Sequence, residues 1–268
     1  MKPILSNLEY HYVMDTIVAA GQQLIKANNE VVKIKGMNHP SLDLVTQADL
    51  DSELFLRAKL TKRFPSFGFY SEESAKESKN ELRKELHWVV DPLDGTLQFS
   101  RNLPFFGVSI GLMSGEKPVA GFIYIPKLGE LFHTQKGCGS YSGKKQIHVA
   151  QREYPSKSVG VLSYTGLSED QQRKLHDIFI RENVIMLRIG SAILQLGYTA
   201  SGMYDLYVCI NNALWDLAAG WAIIEEAGGM VEVYIDEKKR LAENFYHVSF
   251  IASRSDIVQR LIPMLRSL

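Results

Sequence analysis

The sequence predicts a mixed α/β protein, and three observations point that way. Two amphipathic helical segments come before any long strand, a β-rich stretch punctuated by Gly and Pro follows, and strands and helices alternate from about Ser158 onward. Taken in order, residues from about Leu8 to Ala27 place Leu8, Tyr12, Ile17, Ala20, Leu24 and Ile25 near one helical face. A polar connection, GMNHPSLDLV, follows. Thr46 then caps a second helix, TQADLDSELFLRAKLTKRF, with Asp49 three residues on in a near capping-box arrangement.

After Pro65 the texture changes. FGFYSEES is a short aromatic strand that ends in Glu72 and Glu73, and HWVVDP is a second short strand. FFGVSIGLMSG, KPVAGFIYIP and GELFHTQ are separated by turn residues and read as an antiparallel meander. The second half alternates: strand SVGVLSY, helix SEDQQRKLHDIFIREN, strand VIMLRI, helix SAILQLGYTASG, strand MYDLYVCI and helix DLAAGWAIIEEAG. Strands GMVEVYI and HVSFIAS and a closing helix from Asp256 complete it. No internal repeat, low-complexity tract or linker interrupts the chain. The expected organisation is a single domain over 1–268, with an N-terminal α+β lobe over about 1–150 and a C-terminal α/β lobe over about 151–268.

Bulk composition excludes several classes. Lysine plus arginine and aspartate plus glutamate each number 30, so nothing supplies the broad basic surface that general nucleic-acid binding needs. The two cysteines, Cys138 and Cys209, lack CxxC spacing, which argues against a disulfide framework and for a reducing compartment. MKPILSNLEYHYVMDTIV is interrupted by Asn, Glu, His and Asp, unlike a signal peptide. No apolar run approaches the roughly 18–20 residues that span a bilayer. A soluble, cytoplasmic protein with no membrane association is expected.

One stretch concentrates the chemistry. WVVDPLDGT ends a strand-like run in two carboxylates, Asp91 and Asp94, braced by Pro92 and Gly95. Within six residues it offers both side chains, the Leu93 carbonyl and the Thr96 hydroxyl, the oxygen donors that a hard divalent cation prefers. A helix beginning at Gly95 would also aim free N–H groups at an anion. The plainer reading stands beside this one: Asp94 N-caps a short helix, and Asp91 simply ends a strand. Two other acidic places bear on the choice. Glu72 and Glu73 close the preceding strand, and neighbouring strands would bring those ends together. Asp216, behind an apolar run in LWDLAAGWAIIEEAGG, starts a helix as an N-cap and can ligate a metal from there.

WVVDPLDGTLQFSR resembles the first signature of the inositol monophosphatase-like family, the Mg²⁺-dependent, lithium-sensitive phosphomonoesterases. LWDLAAGWAIIEEAGG resembles the second signature, and YSEES the Glu-Glu element upstream. Order and spacing agree from DLVTQAD near Asp43 through RIGSAILQLGYTASG near Gly190, so the resemblance runs through almost the whole chain. It implies a layered αβαβα sandwich, commonly a homodimer.

The resemblance also implies two to three Mg²⁺ ions. Asp91 would bridge two of them. Glu72, the Leu93 carbonyl and the Thr96 hydroxyl would hold the ion that activates water, and Asp94 and Asp216 the ion beside the leaving-group oxygen. A third, weaker ion would sit near Glu72. Thr96, linked to Asp49, would orient and deprotonate the attacking water, while the Gly95 and Thr96 N–H groups hold phosphate oxygens. Gly190, Ser191 and Ala192 match the segment that contacts the substrate's alcohol portion, although a Gly-Ser start to a packed helix explains them as well. Arg188, just before them, would lie at the site edge or in a subunit contact.

The pattern breaks at Cys209, which stands where inositol phosphatases carry a glutamate that contacts inositol hydroxyls. A thiol is a weak hydrogen-bond partner and does not replace a carboxylate accepting from a polyol. Asn211 and Asn212 nearby either supply amide contacts or shape a turn. Cys209 reads as a small side chain rather than a nucleophile, the seven histidines show no ligand-like spacing, and Tyr10, Tyr12, Phe105 and Phe106 read as packing residues.

The expected activity is hydrolysis of a small polyol or sugar phosphate, inositol-1-phosphate foremost, directly and in line. A 3'(2'),5'-bisphosphate nucleotidase, fructose-1,6-bisphosphatase or histidinol-phosphatase is the enzymatic alternative. A transcription- or RNA-associated binding protein is the non-enzymatic one.

Overall fold

The computed structural model describes residues 3–27, 31–35, 43–75, 78–152, 158–234 and 248–267. Helix α1 (Asn7–Lys26) opens on a capping box in which Ser6 and Glu9 exchange hydrogen bonds. It buries Val13, Ile17, Ala20 and Leu24, whereas Leu8, expected on the same face, is 82% exposed, and Ile25 is exposed as well. The buried stripe is narrowed by close approach: a Cβ on Gly21 would meet the Tyr124 ring at 2.4 Å, so small residues face the sheet here.

A short antiparallel hairpin, β1 (Val31–Lys35) with β2 (Asp43–Thr46), precedes α2 (Gln47–Arg63). The hairpin corrects the expectation of a plain polar connection ahead of Thr46; residues 36–42 and the side chains of Lys33 and Lys35 lie outside the described part.

Seven strands then form one sheet in the order β3-β4-β5-β6-β7-β8-β9. They are β3 (Gly68–Ser71), β4 (Leu86–Asp94), β5 (Gly107–Ser114), β6 (Lys117–Ile125), β7 (Glu130–Gln135), β8 (Ser140–Ser142) and β9 (Lys145–Ile147). Strands β3 and β4 run parallel, and every later pair is antiparallel, so the expected meander is present. A short helix, α3 (Thr96–Ser100), follows β4.

The second sheet has the order β11-β10-β12-β14-β13. Its strands are β10 (Ser158–Tyr164), β11 (Val184–Leu187), β12 (Leu206–Asn212), β13 (Met230–Tyr234) and β14 (Val248–Ser253). Helices α4 (Glu169–Arg181), α5 (Ala192–Ala200) and α6 (Leu214–Glu226) lie between them in sequence, and α7 (Ser255–Leu265) follows β14.

Side-chain alternation sorts these elements into five layers. Trp88 and Val90 of β4 join the core under α1 and α2. Val89 faces the other way, into a core shared with α5, α6, Tyr207 and Cys209. Val208 and Ile210 of β12 turn outward to meet α4 and α7. The order is therefore α1/α2, seven-stranded sheet, α5/α6, five-stranded sheet, α4/α7: an αβαβα sandwich. No helix among the described residues is long and apolar enough to cross a membrane.

Candidate active site

The same alternation delivers the acidic residues. Asp91 has the parity of Val89, so it looks toward the middle layer; Glu72 has the parity of Tyr70, which belongs to that inner core. The parallel pairing of β3 with β4 continues into the Glu72 N–H, which donates to the Val90 carbonyl at 3.2 Å and sets Glu72 beside Asp91.

The register between β4 and β5 shifts between Asp91 and Asp94, so the Pro92-Leu93 step is a bulge and both carboxylates reach one region. The Leu93 N–H donates to Asp91 Oδ1 at 3.0 Å, and the Ser52 hydroxyl donates to the Pro92 carbonyl at 2.8 Å. Gly95 then turns the chain with φ +82°, and a Cβ there would lie 2.6 Å from the Phe105 carbonyl oxygen. Only glycine satisfies both demands. Thr96 opens α3, whose first-turn N–H groups have no intrahelical acceptor. Its hydroxyl lies 3.2 Å from the Leu93 carbonyl and 3.3 Å from Asp49 Oδ1. Asp49 is buried and is itself fixed, because Oδ2 accepts from the Thr46 N–H and hydroxyl at 2.7 and 2.6 Å.

Helix α6 brings the third carboxylate across from the other half of the chain. Ligand oxygens of Asp91, Asp94 and Asp216 all lie within 4.8 Å of one another. Neither Asp94 nor Asp216 is an N-cap. Asp94 is the last residue of β4, with Gly95 at the cap, and α6 starts earlier than expected, at Leu214 behind Ala213, which leaves Asp216 inside the first turn.

Burial and like charge raise these carboxyls. Desolvation, followed by the charges of Glu72, Asp94 and Asp216, pushes Asp91 well above the usual carboxylate range. Desolvation, followed by Asp94 and Glu72, does the same to Asp216. Asp94 is pushed up to about 6 by desolvation, opposed by the Ser191 hydroxyl and the N–H groups of Ala192 and Ile193. No ion pair among the described residues neutralises the three. An all-oxygen set with unbalanced negative charge, two of its carboxylates buried and Asp216 half-buried, suits a hard divalent cation, and the donor chemistry fits one here.

Ser191 is fully buried, and its hydroxyl donates to Asp94 Oδ2; the Ala192 N–H donates to Oδ1 at 3.2 Å. In this conformation the start of α5 addresses a carboxylate. Gly190 is exposed beside them at φ +82°, and a Cβ there would meet Gln98 Nε2 at 2.0 Å. Gln98 Nε2 also donates to the Ile189 carbonyl at 3.1 Å, so Gln98 braces this segment. Sequence reasoning missed Gln98, since nothing local ties it to a segment about 90 residues away. Ser52 was missed too, although its place three residues after Asp49 on one helix marks the same face.

Cys209 faces the middle layer with no exposed surface, and its thiol contacts the Val248 carbonyl at 3.8 Å. Burial raises its pKa, so the group is a thiol and no nucleophile. Asn211, in the left-handed region at φ 58°, and Asn212 hydrogen-bond into residues 163–165 and so shape that turn. Arg188 is exposed, with its guanidinium 4.2 Å from the centre of the Tyr164 ring.

A five-layered frame with an acidic centre beside a tight glycine turn is the arrangement of a class of phosphate-ester hydrolases. Comparison with known proteins narrows the class. Residues 9–263 match the inositol monophosphatase family. The chain is 33% identical over 258 residues to an inositol-1-monophosphatase of Mesorhizobium japonicum, covering 93% of this chain and 92% of the relative. It is 32% identical over 237 residues to a fructose-1,6-bisphosphatase/inositol-1-monophosphatase of Aquifex aeolicus, covering 84% and 86%. The crystal structure of extragenic suppressor protein suhB from Bartonella henselae superposes with a TM-score of 0.82 at 31% identity, covering 95% of this chain and 97% of that one. The chain belongs to the inositol monophosphatase family, and it is a phosphatase.

Proposed function

We propose that this protein is a Mg²⁺-dependent phosphomonoesterase that hydrolyses a small polyol or sugar phosphate, inositol-1-phosphate foremost, and works as a cytoplasmic homodimer. The observation that carries the reading is the meeting of Asp91, Asp94 and Asp216 within 4.8 Å, from a strand and a helix far apart in sequence. Two to three cations would be held there: one by Glu72, Asp91, the Leu93 carbonyl and the Thr96 hydroxyl, another by Asp91, Asp94 and Asp216. Bound Mg²⁺ supplies a lowered pKa for water and neutralises charge that develops on the phosphoryl group.

The remaining work falls to the chain. The Gly95 and Thr96 N–H groups face the phosphate oxygens. The Thr96 hydroxyl, leaning on Asp49 Oδ1, orients the attacking water and relays its proton to that carboxylate. Ser191 and Ala192 hold Asp94 toward the leaving group, and the exposed Gly190 leaves room for the alcohol. Ile185 and Leu187, exposed on edge strand β11, support a self-associating surface.

Phosphate release with Mg²⁺ across inositol-1-phosphate, adenosine 3',5'-bisphosphate, fructose-1,6-bisphosphate, histidinol phosphate and glycerol-2-phosphate tests the reading. The highest kcat/KM is expected on inositol-1-phosphate, with inhibition by lithium and loss of release in Asp94→Asn. Turnover of none of the five would instead favour a binding role toward transcription- or RNA-associated partners.

A pH dependence follows from the raised carboxyls. A group whose folded pKa exceeds its unfolded value of ~3.9 stabilises the fold fully below about pH 4 and loses that contribution as pH rises through the folded pKa. For Asp94 the loss runs from about pH 4 up to the folded value of about 6. Metal-free protein should therefore lose thermal stability from these groups as the pH rises above about 4, and Mg²⁺ should raise the melting temperature more at the higher pH. Thermal melts with and without Mg²⁺ check this, and a Mg²⁺ shift that is independent of pH would count against it.

A further inference from the structure

Helix α2 presents a polar row, Asp49, Ser52, Glu53 and Arg57, at spacings that return to one helix face. Each end of the row reaches a different piece of the site. Asp49 meets Thr96, and Ser52 holds the Pro92 carbonyl. Arg57 reaches the third piece: its Nη2 donates to Ser74 Oγ at 2.5 Å, and Ser74 lies two residues beyond Glu72.

Arg57 is itself fixed from two other directions. Glu53 Oε1 accepts from the same guanidinium at 2.9 Å, with the Glu53 side chain only 8% exposed. The Phe69 ring of β3 lies 4.4 Å from the guanidinium carbon. Phe69 points to the α2 side of its sheet, while Glu72 follows on the opposite parity toward the acidic cluster. The turn after β3 also carries Ala75 N–H to the Glu72 carbonyl at 3.4 Å, Ser78 N–H to the Ser74 carbonyl at 3.1 Å and the Ser78 hydroxyl, which donates to Ser74 Oγ at 3.5 Å. Arg57 thus joins α2, the β3 strand and the turn that presents Glu72.

We propose that Arg57 is a positioning residue that holds the Glu72–Ala75 turn against α2 and thereby sets the cation affinity of the acidic cluster. This rests on the cation-site reading above. The geometry suits arginine: Nη2 bonds a carboxylate and a hydroxyl while the flat guanidinium stacks on a ring, and a lysine ammonium has no plane to stack.

The sign of the effect separates positioning from plain charge. Arg57 is a cation near a cluster that binds cations, so a purely electrostatic role makes its removal tighten Mg²⁺ binding. A positioning role makes removal weaken it. Isothermal titration of Mg²⁺ into Arg57→Met, Arg57→Lys and Ser74→Ala reads this directly, with Arg63→Met as a control that loses the same charge at the far end of α2. Affinity is expected to fall about tenfold in Arg57→Met and Ser74→Ala, the size seen when outer partners of a metal ligand are lost. Arg57→Lys is expected to remain weakened, and Arg63→Met to match the wild type. At saturating Mg²⁺ kcat should be restored in all four variants. Ser74→Ala removes only a hydroxyl and leaves the Glu53–Arg57 pair intact, so it decides the matter even if Arg57→Met does not fold. Unchanged affinity in Ser74→Ala, or tighter binding in Arg57→Met, overturns the proposal. A wild-type protein that takes up no Mg²⁺ refutes the cation-site reading itself, and this proposal with it.

Discussion

Asp91→Asn should lower phosphate release at saturating Mg²⁺ by at least about a thousandfold, about 4 kcal/mol of transition-state stabilisation, and at the same time make the metal-free protein more stable. Both halves have one origin. Asp91 is 1% exposed and feels the charges of Glu72, Asp94 and Asp216. Asparagine is nearly isosteric, and its amide oxygen keeps the acceptor role toward the Leu93 N–H. The substitution therefore leaves the bulge intact while removing a charge that the fold alone does not favour. Each kcal/mol relieved raises the melting temperature by about 2–4 °C in a chain near this size. The gain should be largest near pH 8 and fade toward pH 4, where Asp91 is protonated in the wild type as well. Melts of chelated protein at both pH values, beside a phosphate assay, measure the two effects. Lower metal-free stability in the variant at pH 8 would contradict the account.

Gly121→Val should be the most damaging single change remote from the acidic residues. Gly121 of β6 pairs with Gly111 of β5, and the two form a smooth patch against which α6 lies. A Cβ on Gly121 would fall 2.3 Å from the Ala219 carbonyl oxygen, and one on Gly111 would fall 2.7 Å from the Ala218 Cβ. The obstructing atom at Gly121 belongs to the backbone, so no rotamer change relieves the overlap, and α6 must move. Overpacking of this kind costs about 1–3 kcal/mol where side chains can yield, and more is expected here. The urea midpoint should fall by the equivalent of over about 3 kcal/mol with an unchanged slope. Since α6 carries Asp216, whatever folds should also bind Mg²⁺ more weakly. A midpoint within error of the wild type would show that α6 has slack at this contact.

How much of this was legible depended on how local each feature is. The Asp91-to-Thr96 turn could be read directly, because proline, glycine and four oxygen donors fall within six residues. The αβαβα order came through resemblance, since alternation of strands and helices alone does not say which helices lie between the sheets. Leu8 and Ile25 were misplaced because apolar spacing marks a face without saying how wide a stripe the sheet will cover. The true stripe admits Thr16 and Gly21 and leaves Leu8 outside. The β1–β2 hairpin was missed because strands of five and four residues are too short for a period of two to register. Asp216 was taken for a cap because its helix begins on apolar residues, Leu214 and Trp215, that carry no capping signal. Contacts such as Gln98 to Ile189 join a short helix to a loop 91 residues away, and no spacing rule reaches that far.

The placement of Asp216 has a consequence for the order in which the protein matures. Asp91 and Asp94 come from a strand and Asp216 from a helix far along the chain, and they meet only once α6 is seated on the seven-stranded sheet. Closing so long a loop is entropically expensive and slow. During synthesis, the first carboxylates are made long before their distant partner. Hydrolysis is therefore a property of the finished molecule alone. A half-folded chain can display helices and most of a sheet while remaining inert toward phosphate esters, so catalytic competence is the last trait a refolding population should acquire.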